Sequence, residues 1–239
     1  MGMVIKYFES YDEMSKQAAQ IVAGEVRVKP NMILGLPTGS TPIGMYKNLI
    51  RMNKAGETDF SKITTFNLDE YLPITKDNEQ SYYKFMFDNF FGSINIDPKN
   101  INIPDGEAAD GEIACREYEE KIDASGGIDL MVIGLGPNGH IGFNEPDKFL
   151  VPDTHIADLT ETTINANARF FASADEVPKK ALTMGMGSIL KARKILLIVS
   201  GAAKREVLER FLKKEITTDL PVSFLHLHRD VTILSDVKI

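Results

Sequence analysis

The sequence predicts a three-layer α/β sandwich: a mostly parallel sheet with helices on both faces. Two observations predict it. Short apolar runs alternate with segments of helical period almost throughout, the pattern of strands joined by helical crossovers. The glycine-rich segment Gly134 to Pro146, with a histidine, an acid and two carboxamides, directly follows the apolar run Ile128 to Ile133. In an α/β sheet that is where a ligand sits, just beyond the carboxyl end of a strand. With 239 residues, 43% of them apolar, the chain has enough material for one full core. No internal repeat, low-complexity tract or linker divides it, so residues 1–239 are expected to form a single domain.

The elements follow in order. Val4 to Phe8 reads as a strand. Ser10 and Glu13 form a capping box, after which Met14, Ala18 and Ile21 recur at helical spacing. Met32 to Leu36 is an apolar strand, followed by a loop and a helix from Pro42 to about Ala55. Ile63 to Leu68 is a third strand. Helices are expected near Ser81 to Phe91 and Gly111 to Ser125, and a strand over Ile128 to Ile133. Beyond the glycine-rich loop, helices fit Pro178 to Leu190 and Ala203 to Lys214, and strands fit Lys194 to Val199 and Val231 to Leu234.

Composition narrows the function. A net charge of −7 argues against nucleic acid or an anionic membrane surface as partner. Apolar runs are far too short for a membrane span. The N-terminus lacks the charged start and long apolar middle of a signal peptide. The lone cysteine, Cys115, rules out an internal disulfide framework and lies in a helical stretch as a packed side chain. These features together lead to the expectation of a cytoplasmic protein.

Four constellations carry chemistry. Gly35-Leu36-Pro37-Thr38-Gly39-Ser40-Thr41-Pro42 joins a strand to a helix. Thr41 fits as N-cap and Pro42 as the first helical residue, leaving backbone N–H groups, the helix dipole and the hydroxyls of Thr38, Ser40 and Thr41 for an anion. An ordinary capped turn is the alternative. The lysine of a P-loop is absent. Ser200-Gly201-Ala202-Ala203-Lys204 repeats the arrangement at another strand end, where Lys204 is either an anion ligand or a solvated surface lysine. Asp69 and Glu70 lie together at a strand end. Extended backbone points them to opposite sides, so one could face the cleft as a general base; a helix-capping or turn aspartate is the alternative and the more common case. His140 and Glu145, five residues apart across glycines, can hydrogen-bond, which would fix the imidazole tautomer. Gly134, Gly136 and Gly139 match a dinucleotide fingerprint, but Pro146 forbids the helix that such a site needs. His155, His226 and His228 read as structural, and no cluster has metal-ligand spacing.

Taken together, Leu36 to Pro42, Phe66 to Tyr71, Ser81-Tyr82-Tyr83, Gly139 to Pro146, Arg169-Phe170-Phe171 and the Lys204 turn closely resemble the glucosamine-6-phosphate deaminase family, also called glucosamine-6-phosphate isomerases. The resemblance spans most of the chain, and the His140 loop with Phe-Asn-Glu-Pro is its most specific part. It implies a Rossmann-like three-layer sandwich and conversion of glucosamine 6-phosphate and water to fructose 6-phosphate and ammonia. It implies no metal and no organic cofactor. On this basis the protein is expected to be a hydrolase acting on the C–N bond of an amino sugar phosphate, a monomer or small homo-oligomer.

The resemblance also implies roles. His140 shuttles the proton that opens the sugar ring, oriented by Glu145. Asp69 moves the C2 proton to C1 through an enolamine. Thr38, Gly39, Ser40 and Thr41, with Arg169 and Lys204, hold the phosphate. Asn138 stands where some members carry an aspartate of the ring-opening group, and an amide can orient but not share charge. The segment after the active loop has His155 and Ala157 where larger hexameric members place basic residues, and the chain ends soon after its last strand. A short, non-allosteric type is therefore expected. A 6-phosphogluconolactonase-like hydrolase and a non-catalytic sugar-phosphate sensor are the competing readings.

Overall fold

The computed structural model describes residues 2–160, 164 and 177–239. Arg169 lies outside the described residues. Strand β1 (Met3–Tyr7) leads into α1 (Tyr11–Val28), where the Ser10 hydroxyl accepts the Glu13 N–H as the capping box requires. Then come β2 (Ile33–Leu36), α2 (Ile43–Lys54), β3 (Thr64–Asn67), β4 (Asp69–Leu72), α3 (Tyr82–Asn89), β5 (Ile101–Asn102), α4 (Gly111–Ala124) and β6 (Leu130–Gly134). The described remainder holds β7 (His155–Asp158), β8 (Lys180–Thr183), α5 (Met186–Leu190), β9 (Lys194–Val199), α6 (Arg205–Leu212) and β10 (Val231–Ser235).

Seven strands form one parallel sheet in the order β1-β10-β9-β6-β2-β3-β5. Alternate side chains of the central strands enter two separate cores, as strand geometry demands. Leu34, Leu130, Val132 and Leu196 pack with α1, α2 and α3 on one face. Ile33, Met131, Ile133 and Leu197 pack with α4, α5 and α6 on the other. These are the three layers. From β2 the chain winds outward through β3 to β5, and from β6 it winds the opposite way through β9 to β10. The switch of direction therefore falls between β2 and β6, the place where open α/β sheets bind ligands.

A second, antiparallel sheet, β4-β8-β7, was not foreseen. Its presence corrects the helix expected over Pro178 to Leu190: Lys180–Thr183 is a strand and only Met186–Leu190 is helical. Leu182, Met186 and Ile189 do recur at helical spacing, but pairing on both sides with β4 and β7 overrides that weak local preference. Thr41 is also not the N-cap. Pro42 occupies that position and offers no side-chain cap. Among the described residues no helix is long and apolar enough to cross a membrane.

Candidate active site

Four adjacent strands, β9, β6, β2 and β3, end on one cleft of about 510 Å³. Pro37 to Pro42 from the β2–α2 loop line one side. Gly134 to Asn138, His140, Gly142 and Phe143 line a second. Asp69 with Tyr82 and the turn bearing Lys204 complete it. Every sequence-predicted site residue that the structure describes reaches this cleft or touches one that does.

Asp69 opens β4 and is 6% exposed, while its neighbour Glu70 is 2% exposed. The strand alternation sends them apart. Asp69 turns to the cleft. Glu70 accepts the backbone N–H groups of Tyr71, Tyr82 and Tyr83 at 2.8–2.9 Å, and so anchors the N-terminus of α3. Burial, then the charge of Glu70, pushes the Asp69 carboxyl up to about 8. Burial raises Glu70 to about 7, with its three N–H donors working against the rise. Glu70, with its three donors, therefore gives up its proton before Asp69 does.

The His140 loop is shaped by glycine. A Cβ on Gly136 would stand 2.1 Å from the His140 ring, so only glycine lets the imidazole lie on that backbone. Gly142 has φ of +59°, and a Cβ there would meet the Thr183 hydroxyl at 2.9 Å and an Asp69 carboxylate oxygen at 3.3 Å. The loop is thus brought against the acid. His140 Nδ1 lies 3.0 Å from Glu145 Oε1, but the ring is turned away from a straight hydrogen bond. The other Glu145 oxygen accepts from the Asn138 amide at 2.5 Å, and the Asn138 carbonyl accepts the His140 N–H at 3.3 Å. Asn138 therefore tethers both members of the pair without adding charge.

The small sheet fixes this loop. Thr183 on β8 pairs with Asp69 on β4, and its hydroxyl accepts the Phe143 N–H at 3.1 Å. The buried Asn144 amide donates to the carbonyls of Ile141 and Met184. Tyr71, Tyr82 and Phe143 form an aromatic wall, the Tyr82 and Phe143 rings being parallel within 2° at 6.2 Å. Sequence reading gave Tyr82 and Phe143 no role of their own. Their aromatic character, flanking Ser81 and Asn144, was the only signal.

On the opposite side, the backbone N–H groups of Gly39, Ser40 and Thr41 donate to no other group among the described residues. The Lys204 ammonium, half-buried at the cleft edge, is held below the ordinary lysine range by desolvation. Its turn is tied down by Asp236, which accepts from the Ser200 hydroxyl at 2.6 Å and the Gly201 N–H at 3.0 Å. Among the described residues Lys204 has no carboxylate partner, and with the unspent N–H donors it could serve as an anion cradle. The remaining histidines behave as read: His155, His226 and His228 each bond a backbone carbonyl at 2.7–2.9 Å. Cys115 is buried, which pushes its thiol up to about 11. Among the described residues no group of three or more His, Cys, Asp or Glu could hold a metal ion.

A doubly wound sheet with an anion cradle and an acid–histidine pair at its switch point is the build of an α/β protein for a small anionic ligand. The chain belongs to the family described as glucosamine-6-phosphate isomerases/6-phosphogluconolactonase, whose match covers residues 9–234. A protein from Thermoanaerobacter sp. (strain X514) named glucosamine-6-phosphate deaminase is 57% identical over 227 residues, 95% of this chain and 90% of that one. A solved monomeric glucosamine-6-phosphate deaminase superposes with a TM-score of 0.94 at 46% identity, covering 98% of this chain and 97% of the other. A 6-phosphogluconolactonase from Thermotoga maritima shares the fold, with a TM-score of 0.76 at 19% identity over 98% of this chain and 99% of that one. These comparisons correct the expected enzyme class. The relatives are named deaminases and the family description names glucosamine-6-phosphate isomerases beside 6-phosphogluconolactonase, so the label of hydrolase acting on a C–N bond does not stand.

Proposed function

We propose that this chain carries out isomerisation with deamination of glucosamine 6-phosphate, giving fructose 6-phosphate and ammonia. The observation that supports it most is that Asp69, the His140–Glu145 pair and the anion cradle open on one cleft. Asp69, Asn138, His140 and Glu145 form the catalytic group, and Thr38, Gly39, Ser40, Thr41 and Lys204, with Arg169, hold the phosphate. Phosphate binding at one end fixes C1 and C2 at the other, so remote binding energy serves the reacting carbons.

The steps follow from the residue types. His140, oriented by Glu145, gives a proton to the ring oxygen and takes the one released by the anomeric hydroxyl, which opens the ring to the aldehyde. Asp69 then takes the proton from C2 while His140 gives a proton to the C1 oxygen, so the C2–H electron pair becomes the C1–C2 double bond of an enolamine. The same carboxyl returns the proton to C1, leaving an iminium at C2. Water adds to C2 and ammonia leaves, giving the ketose. A carboxylate raised by burial is a stronger base for a carbon acid than an exposed one. The protein acts as a monomer or small homo-oligomer on a small-molecule amino sugar phosphate.

The test is ammonia release by purified protein. Release from glucosamine 6-phosphate, without hydrolysis of 6-phosphogluconolactone, is the expected result. Lactone hydrolysis without ammonia would instead place the chain with the other activity of its family.

A further inference from the structure

The anion cradle is braced from a distance. Tyr11 is the first residue of α1, 29 residues before the loop. Its hydroxyl accepts the Gly44 N–H at 2.7 Å, and its proton faces the carbonyls of Ser40 at 3.2 Å and Thr41 at 3.1 Å. One hydroxyl thus joins the end of the loop to the first turn of α2. It does what the missing side-chain cap of α2 cannot, since Pro42 at the N-cap offers no acceptor. The approach is close enough to require glycine: a Cβ on Gly44 would stand 2.9 Å from the Tyr11 hydroxyl and 2.3 Å from that of Ser15. The Ser40 carbonyl shares its peptide plane with the Thr41 N–H, so by engaging that carbonyl Tyr11 fixes the plane that carries this donor, while its contact with the Thr41 carbonyl fixes the peptide leading into Pro42; Ser40 and Thr41 both line the cleft.

We propose that Tyr11 is a positioning residue for phosphate binding, which holds the Ser40–Thr41 backbone in its anion-accepting orientation without touching the ligand. This rests on the phosphate-site reading above. Tyr11→Phe keeps the ring and its packing and removes only the hydroxyl. The Gly44 N–H and the Thr41 carbonyl then lose this partner, and the Ser40 carbonyl keeps only its long bond from the Ile43 N–H at 3.4 Å.

The experiment is titration of wild type and Tyr11→Phe with inorganic phosphate, followed by phosphorus-31 NMR line broadening, alongside steady-state kinetics on glucosamine 6-phosphate. We expect the phosphate dissociation constant and KM to rise together by roughly five- to thirtyfold, the range for losing such a set of hydrogen bonds, with kcat changing far less. Gly44→Ala, which pushes against the same hydroxyl, should move both constants the same way. If phosphate affinity and KM in Tyr11→Phe equal those of wild type, the proposal is overturned. So too if kcat falls while both constants hold, because the hydroxyl then acts on chemistry or general order rather than on the cradle. Failure of the deaminase reading is separable: wild type would release no ammonia, yet phosphate titration would still report on Tyr11.

Discussion

At the scale of single residues, the outcome turns on how Asp69 is charged. Its carboxyl lies at about 8, against an ordinary 3.8, because burial and the Glu70 charge both oppose ionisation. A base must be deprotonated to act, so activity should fall as pH drops below that of the pair. The acid limb of kcat/KM is expected in the neutral to mildly alkaline range, and a pH profile with its acid limb near 4 would contradict it. Stability should move the other way. Between 3.8 and about 8 the folded chain keeps a proton that the unfolded chain has lost, so this group costs stability as pH rises through that window. Asp69→Asn should therefore melt close to wild type near pH 4 and above it near pH 8, by roughly 2–4 °C for each kcal/mol recovered. Melting curves at the two pH values decide it. His140 calls for a different test. His140→Gln should impair ring opening most, and a substrate supplied in open-chain form should partly bypass the defect. Equal losses on cyclic and open-chain substrates would remove His140 from that step. These residues were legible in the sequence because glycine, histidine and acid in one short loop have few structural reasons to occur together. The opposite facing of Asp69 and Glu70 was legible too, from strand alternation alone. What Glu70 does was not, because its partners on α3 are 12 and 13 residues away.

At the scale of elements, the strands of the main sheet were readable because each is a buried apolar run flanked by turn residues. The second sheet was not. β4, β7 and β8 have four residues each, carry charged or polar side chains and exist through mutual pairing rather than local preference. That sheet nevertheless positions the site, since β4 supplies Asp69 and β8 supplies Thr183. Thr183→Val keeps the shape but removes the acceptor of the Phe143 N–H, at a cost of about 1–3 kcal/mol for a buried donor left without a partner. The expected result is a fall in melting temperature of about 2–12 °C together with a lower kcat, since the His140 loop loses its tie to the base. Unchanged kcat with reduced stability would mean that the loop holds its place without β8. The Thr41 expectation failed for a related reason. The rule for helix starts looks within the segment, while α2 is capped by Tyr11 from another helix.

At the scale of the whole molecule, the winding of the sheet does the assembling. Because the chain reverses between β2 and β6, four strand ends converge, and residues from position 38 to position 204 share one cleft. The alternation of strands and helices announced a sheet of this type, whereas the strand order, which decides where the site falls, is a property of long-range pairing. The division of labour across the cleft gives a prediction for its far end. Lys204→Met should weaken binding of the phosphorylated substrate by about 1.5–3 kcal/mol, the worth of one charged hydrogen bond, and wild type should use unphosphorylated glucosamine poorly. If glucosamine serves as well as its phosphate ester, the cradle does not bind phosphate. The central claim, that the cleft performs proton transfer from C2 with Asp69 as the base, is tested most directly by exchange of the C2 proton of bound glucosamine 6-phosphate with deuterated solvent. Wild type should exchange it, and Asp69→Asn should slow that exchange by about 10²–10⁴-fold, the usual worth of a positioned general base, while still binding the substrate through its phosphate. Exchange at the wild-type rate in Asp69→Asn would contradict the account and pass the role to Glu70.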